Sequence, residues 1–186
     1  GYRREAEAFV AGVLHDLGKL ILVEYFQDKF LSAVRLARSE NLYIAQAEEI
    51  VLGVSHAEVG GWLAEKWNLP REIVEVISHH HGPFPDDEDV EAGAKLLDLT
   101  YIVHAADALC RRCRIGNSGD SRGPALHPHV ARVFKKDRDM PDEALFDLLG
   151  AGLDQEIERA EIFRRWSGGP EPLAAVEERE TAHDKP

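Results

Sequence analysis

The sequence predicts an all-α fold, a helical bundle, and three observations carry that expectation. Apolar residues recur at helical spacing in segment after segment between residues 5 and 163. Breaks rich in Asn, Gly and Pro separate those segments: Asn41-Leu-Tyr, Gly53, Asn68-Leu-Pro70 and Gly82-Pro83. No stretch alternates apolar and polar residues with the period of a strand, and no internal repeat is present.

Taken in order, residues 5–26 carry Phe9, Val13, Leu17 and Leu20 at helical spacing, which predicts a first helix. Gly12 and Gly18 weaken it and predict close packing or a break near His15-Asp16. Residues 28–40 predict a second helix with Phe30, Ala33, Val34 and Leu36 inward, and Ala45 to Leu52 a third that Gly53 ends. Ser55-His-Ala-Glu58 spells a capping box, so a fourth helix starts there, with Val59, Trp62, Leu63 and Trp67 following. Its Gly60-Gly61 pair admits another backbone. Pro70 opens a fifth helix with Ile73, Val74 and Ile77 on its apolar face, which ends in His79-His80-His81. Pro83 to Asp89 reads as an acidic loop, and Glu91 to Cys113 as the longest helix. A core over residues 1–113 is thus followed by a loop over 114–128, by C-terminal helices of the same domain over 129–166, and by a charged tail over 167–186 expected to lack fixed structure.

A hydrophobic share of 44% over 186 residues suits one globular domain. The formal net charge of -12 argues against a nucleic-acid backbone or an anionic membrane as partner, while leaving room for a small phosphorylated ligand in a local pocket. No apolar run is long enough to span a bilayer and no signal peptide opens the chain, so the expected location is cytoplasmic. Cys110 and Cys113 have the Cys-x-x-Cys spacing, but no βαβ pattern surrounds them, and they read as reduced thiols.

Polar residues on inner faces are the informative exceptions. His15 and Asp16 lie side by side inside an apolar run, and neighbours on a helix point about 100° apart, so both can grip one ion from one edge. His56 sits in the first turn of the fourth helix. His80 and His81 follow Ile77 by three and four residues and continue its buried stripe. Asp107 follows Val103 by four and precedes Cys110 by three, which turns it inward. Each has a plainer reading: a capped histidine, a surface residue at a helix start, a polar helix end, a hydrogen-bonded core aspartate. Together, they bring His or Asp to the inner side of several helices, and a cation is an economical way to satisfy several buried polar groups at once.

The spelling of these segments resembles the HD phosphohydrolase superfamily, through His15-Asp-Leu-Gly-Lys19, and within it the HDOD domains, bacterial signalling modules related to the HD-GYP phosphodiesterases. Leu52-Gly-Val-Ser-His-Ala-Glu-Val-Gly-Gly-Trp-Leu-Ala-Glu-Lys-Trp-Asn-Leu-Pro70, His80-His-Gly-Pro83 and Ile102-Val-His-Ala-Ala-Asp-Ala-Leu109 complete an ordered set across residues 7–112. The resemblance implies a helical bundle with a central metal-type site. By position, His15 and Asp16 become central ligands, Asp107 the carboxylate opposite, and His56, His80 and His81 further ligands to one or two divalent ions. Iron, manganese or zinc is the expected metal, with magnesium admitted. Asp16 and Lys19 become the catalytic pair, Lys19 meeting a phosphate oxygen while the metal ionises a water.

Three departures bear on activity. No His precedes His15, and the helices that lie upstream in the family do not appear before it, so the chain reads as a fragment or as lacking that ligand. The HD-GYP continuation Asp-Gly-x-Gly-Tyr-Pro is replaced by Pro83-Phe-Pro-Asp-Asp-Glu, which argues against cyclic-dinucleotide hydrolysis. His79 adds a third imidazole, and His80 and His81 are taken as the family pair because Gly82-Pro83 follows them. The first functional reading is therefore a signal-transduction module with a His/Asp metal site and weak or no catalysis. Its partner would be a signalling protein or a phosphorylated small molecule. The alternatives are a metal-dependent phosphohydrolase and a metal-free helical interaction scaffold.

Overall fold

The computed structural model describes residues 5–84, 94–122, 126–134 and 140–153. The expected acidic loop beyond Phe84, the start of the longest helix and the C-terminal tail lie outside them. Every element among the described residues is helical: α1 (Glu5–Leu14), α2 (Leu17–Ser39), α3 (Ile44–Leu52), α4 (His56–Lys66), α5 (Arg71–His79), α6 (Ala94–Arg112) and α7 (Pro128–Phe134). Residues 142–153 are helical as well. The chain divides into two compact units, Gly1–Leu145 and Phe146–Pro186, and all that follows concerns the first. No helix among the described residues is long and apolar enough to cross a membrane.

The predicted helix over 5–26 is in fact interrupted at the His-Asp pair. α1 stops at Leu14, His15 and Asp16 form a turn, and α2 starts at Leu17. The turn is closed by the Lys19 amide donating to the Asp16 carbonyl at 2.9 Å. The pair thus projects from a corner, not from the flank of a continuous helix. The boundary expected near residue 27 survives as a kink, with Phe26 at φ -135° and ψ 34° inside α2.

Several of the large apolar residues at helical spacing face solvent. Phe9 is 72% exposed, Leu20 66% and Trp62 60%. The faces turned inward carry small residues instead: Ala11 in α1, and Ala57, Gly60, Gly61 and Ala64 in α4. The reason is close approach of backbones. A Cβ on Gly18 would collide with the His56 carbonyl oxygen and stand 2.8 Å from the Gly60 nitrogen, so α2 and α4 meet at a glycine crossing where bulk cannot fit.

In α5, Ile73 and Ile77 are buried as expected, whereas Val76 is fully buried and Val74 only partly; they pack beside Ala11, Ala64, Leu99 and Val103 in one core cluster. A second cluster joins α2 to α3 through Ala33, Ala37, Ile44 and Ala47. The capping box of α4 is formed, with the Glu58 amide donating to Ser55 Oγ at 3.4 Å and the Ser55 amide to Glu58 Oε2 at 3.0 Å. α3 is tied at its start to the loop after α6: the Ile44 amide donates to Asp120 Oδ2 at 2.9 Å.

Candidate metal centre

Three chain corners converge on one point. The α1–α2 turn supplies Asp16, the capped first turn of α4 supplies His56, and the end of α5 supplies His80 and His81. One ligand atom from each of these four lies within 4.8 Å of every other. His56 and His80 are fully buried. Asp16 Oδ1 stands 3.2 Å from His56 Nε2 and 3.7 Å from His80 Nε2. His56 Nε2 and His81 Nε2 are 3.2 Å apart.

The outer nitrogens are already committed, and that aims the inner ones. His56 Nδ1 lies 2.6 Å from Glu48 Oε2 and donates to it. His80 Nδ1 lies 3.0 Å from the Ile77 carbonyl and donates there. With Nδ1 engaged outward in both rings, each Nε2 faces the cluster and offers it a lone pair when the ring is neutral. His80 Nε2 and Asp16 Oδ1 are buried and lack any hydrogen-bond partner. Orphaned acceptors of this kind are what a cation would satisfy. The donor set fits too: metal–nitrogen bonds of about 2.0–2.1 Å at a tetrahedral ion place two ligand nitrogens about 3.3 Å apart, close to the His56–His81 spacing. The cluster could hold a metal ion.

His15 flanks the four. Its Nδ1 lies 2.7 Å from the Gly12 carbonyl, its Nε2 is 3.4 Å from Asp16 Oδ2, and its ring meets His80 edge-on with centroids 5.0 Å apart. Lys19 Nζ donates to Asp16 Oδ2 at 2.7 Å, leaving Oδ1 for the cluster. Asp107 stands apart from the four. Its Oδ2 accepts from Arg111 Nε at 2.9 Å, one helical turn on, and Arg111 Nη1 also reaches Asp120 Oδ2 at 3.0 Å. Asp107 and His81 do share a wall of one cleft of about 970 Å³, along with His104, Arg111, Arg122 and Tyr43.

Two residues that sequence reasoning passed over hold this arrangement. Glu48 is fully buried and accepts from both the His56 amide, at 2.7 Å, and the His56 ring. It follows Ile44 by four residues and precedes Val51 by three, so the stripe argument used for Asp107 would have found it. His104 Nδ1 donates to the His80 carbonyl at 2.7 Å, and its Nε2 accepts from the His127 amide at 3.1 Å.

Burial acts to raise the Asp16 carboxyl, but His56, Lys19 and His15 outweigh it and hold it well below the usual carboxylate range. Burial likewise acts to lower His56, and the Asp16 and Glu48 carboxylates overcome it, so its value is raised. For His80, burial dominates, reinforced by His56 and His15; for His81, burial is reinforced by His80 and His56. Both are held well below the ordinary histidine value. His104 is lowered by burial, with the His80 carbonyl opposing.

These directions set a pH dependence. Between their lowered folded values and the unfolded value of 6.5, His80, His81 and His104 bind fewer protons folded than unfolded. Their stabilisation is whole above 6.5 and is lost as pH falls. His56 has the opposite sign: its contribution is present below 6.5 and lost as pH rises through its raised value. Three groups against one predict that the metal-free protein melts at lower temperature at about pH 5.5 than at about pH 7. Thermal melts followed by circular dichroism check this, and a rise in Tm on acidification contradicts the neutral imidazoles assigned here.

Comparison with known proteins agrees with this frame. Residues 1–83 match the HDOD domain family. A protein of Treponema pallidum (strain Nichols), described as uncharacterized, is 29% identical over 76 residues, which is 41% of this chain and 15% of that protein. The crystal structure of an HDOD domain protein of unknown function from Geobacter sulfurreducens superposes with a TM-score of 0.62 at 32% identity, over 86% of this chain and 53% of that one. This chain thus spans about half of the solved relative and a small part of the Treponema protein. Residues 1–83 thus resemble an HDOD domain, and the described residues share the helical frame of the solved HDOD relative, with the His/Asp cluster at the corners of α1–α2, α4 and α5.

Proposed function

We propose that this HDOD-type domain is a regulatory module of signal transduction that holds one divalent cation at Asp16, His56, His80 and His81 and turns over phosphoesters weakly or not at all. The observation that carries the proposal is the pair of orphaned buried acceptors, His80 Nε2 and Asp16 Oδ1, 3.7 Å apart among two further imidazoles. Iron, manganese or zinc suits three imidazoles and one carboxylate, whereas magnesium prefers oxygen ligands and suits them least. When bound, such an ion supplies Lewis acidity toward a phosphoryl oxygen and lowers the pKa of water.

The chain's own residues favour a binding role over turnover. Lys19 holds Asp16 Oδ2 and turns Oδ1 inward. Glu48 and the Ile77 carbonyl hold the imidazoles in the tautomer that presents Nε2. Four protein donors fill a tetrahedral shell, while a catalytic zinc keeps a position open. With Asp107 engaged by Arg111, a single carboxylate remains in the cluster, which favours one ion over two. The cleft of about 970 Å³ beside His81 suits a phosphorylated small molecule, whose occupancy a signalling partner would read. That same cleft, with Arg111 and Arg122 in its wall, favours phosphoester hydrolysis as the second reading.

Metal analysis of protein purified without chelator tests the first reading, with close to one equivalent of iron, manganese or zinc expected per chain. Protein that stays bare and ignores all three added metals would leave a helical scaffold whose His and Asp residues hydrogen-bond. Metal-loaded protein is then assayed on a panel of phosphomonoesters and phosphodiesters. Turnover that disappears in Asp16→Ala, with helical dichroism retained, moves the assignment to a phosphohydrolase.

A further inference from the structure

We propose that Glu48 is the positioning residue of the metal centre, and that through it α3, an element contributing none of the four donors, decides how well the ion is held. The inference rests on the metal reading above and goes beyond it by adding a residue outside the donor set. Glu48 is 0% exposed. Its Oε2 accepts twice from one residue, from the His56 amide at 2.7 Å and from His56 Nδ1 at 2.6 Å. That double grip fixes the ring plane as well as the tautomer, because the backbone and the ring are anchored to the same oxygen. A carboxylate on Nδ1–H also makes the opposite nitrogen a more basic ligand.

The second observation is the other oxygen. Glu48 Oε1 is buried and has no hydrogen-bond partner. A carboxylate placed so has poor solvation, and a helix that merely needed packing at this position would carry an apolar residue among Ile44, Ala47 and Val51. Positive charge at the far side of His56 balances it, as a bound divalent cation would. α3 is itself pinned, with Asp120 holding the Ile44 amide and Arg111 holding Asp120. The loop that follows α6 therefore sets where Glu48 stands.

The test compares wild-type protein with Glu48→Ala and Glu48→Gln by competition for Zn²⁺ and Co²⁺ against a chelator of known affinity. The Co²⁺ absorption spectrum is recorded alongside, and Tm is measured without metal. Loss of a partner behind a ligating histidine costs about 10–100-fold in metal affinity. Glu48→Ala is expected to show a loss in that range with an altered Co²⁺ spectrum. Glu48→Gln, which keeps an acceptor for Nδ1–H and gives up the charge, is expected to lose less, by about 10-fold or under. Wild-type affinity and an unchanged spectrum in Glu48→Ala overturn the proposal; should that variant fail to fold, wild-type affinity in Glu48→Gln overturns it. A wild-type protein that binds neither metal overturns the metal reading and this proposal with it, whereas tight wild-type binding with indifferent variants removes Glu48 alone.

Discussion

Alanine at Asp16 is expected to weaken metal binding by more than about 100-fold, since a direct donor is worth more than the outer partners whose loss costs 10–100-fold. Asp16 is the sole carboxylate of the four-donor group, so its removal leaves three neutral imidazoles to hold a dication. Its Oδ1 is also one of the two buried acceptors of the cluster without a hydrogen-bond partner, which a cation would satisfy. Chelator competition on the purified variant reads the effect. Lys19, whose side chain is 16% exposed, loses its partner in this variant. Asp16→Asn therefore serves as companion, keeping an acceptor for Lys19 while removing the charge, and the same direction is expected. Unchanged affinity in both variants would take Asp16 out of the site.

The second large effect concerns the fold that brings the donors together. Gly18→Ala is expected to destabilise by about 3 kcal/mol, the upper end for overpacking, because the obstructing atoms are backbone atoms with nowhere to retreat. For a unit of this size that is a fall in Tm of roughly 6–12 °C, read by thermal denaturation. The collision falls on the His56 carbonyl and the Gly60 amide, in the first turns of α4, so the variant should lose metal affinity as well. Gly12→Ala is the control. A Cβ there meets nothing within 4 Å, and alanine in a helix is favoured over glycine by about 0.5–1 kcal/mol. Equal melting of wild type and Gly18→Ala would mean that α2 and α4 do not cross as closely as described.

Much of this was legible in the chain, and the failures share a cause. The start of α4 was readable because a capping box is a local device: Ser55 and Glu58 bond each other's backbone three residues apart. Most of the α5 stripe was readable, because Ile73 and Ile77 stand four residues apart; Val76, which is buried more deeply than the expected Val74, was not picked out. The inward faces of α1, α2 and α4 were not legible from apolar spacing, because Phe9, Leu20 and Trp62 are large and exposed, while the close α2–α4 crossing admits only small groups. Which carboxylate stands near the cluster depended on neighbours distant in sequence or on competing charges: Asp107 is engaged by Arg111, and Glu48 is held against His56 across the α3–α4 junction.

By itself the sequence determined that the protein is helical, where most helices begin and end, and that histidines and aspartates recur at inner positions. Those are properties of periodicity and of hydrogen bonds within a few residues, which neighbours along the chain decide. The tertiary structure alone decided that the His-Asp pair sits on a corner, that glycines form the α2–α4 crossing, and that Asp16, His56, His80 and His81 meet while Asp107 stands aside. Burial and charge pairing are settled by what arrives from the other helices, and periodicity along one helix carries no record of that arrival.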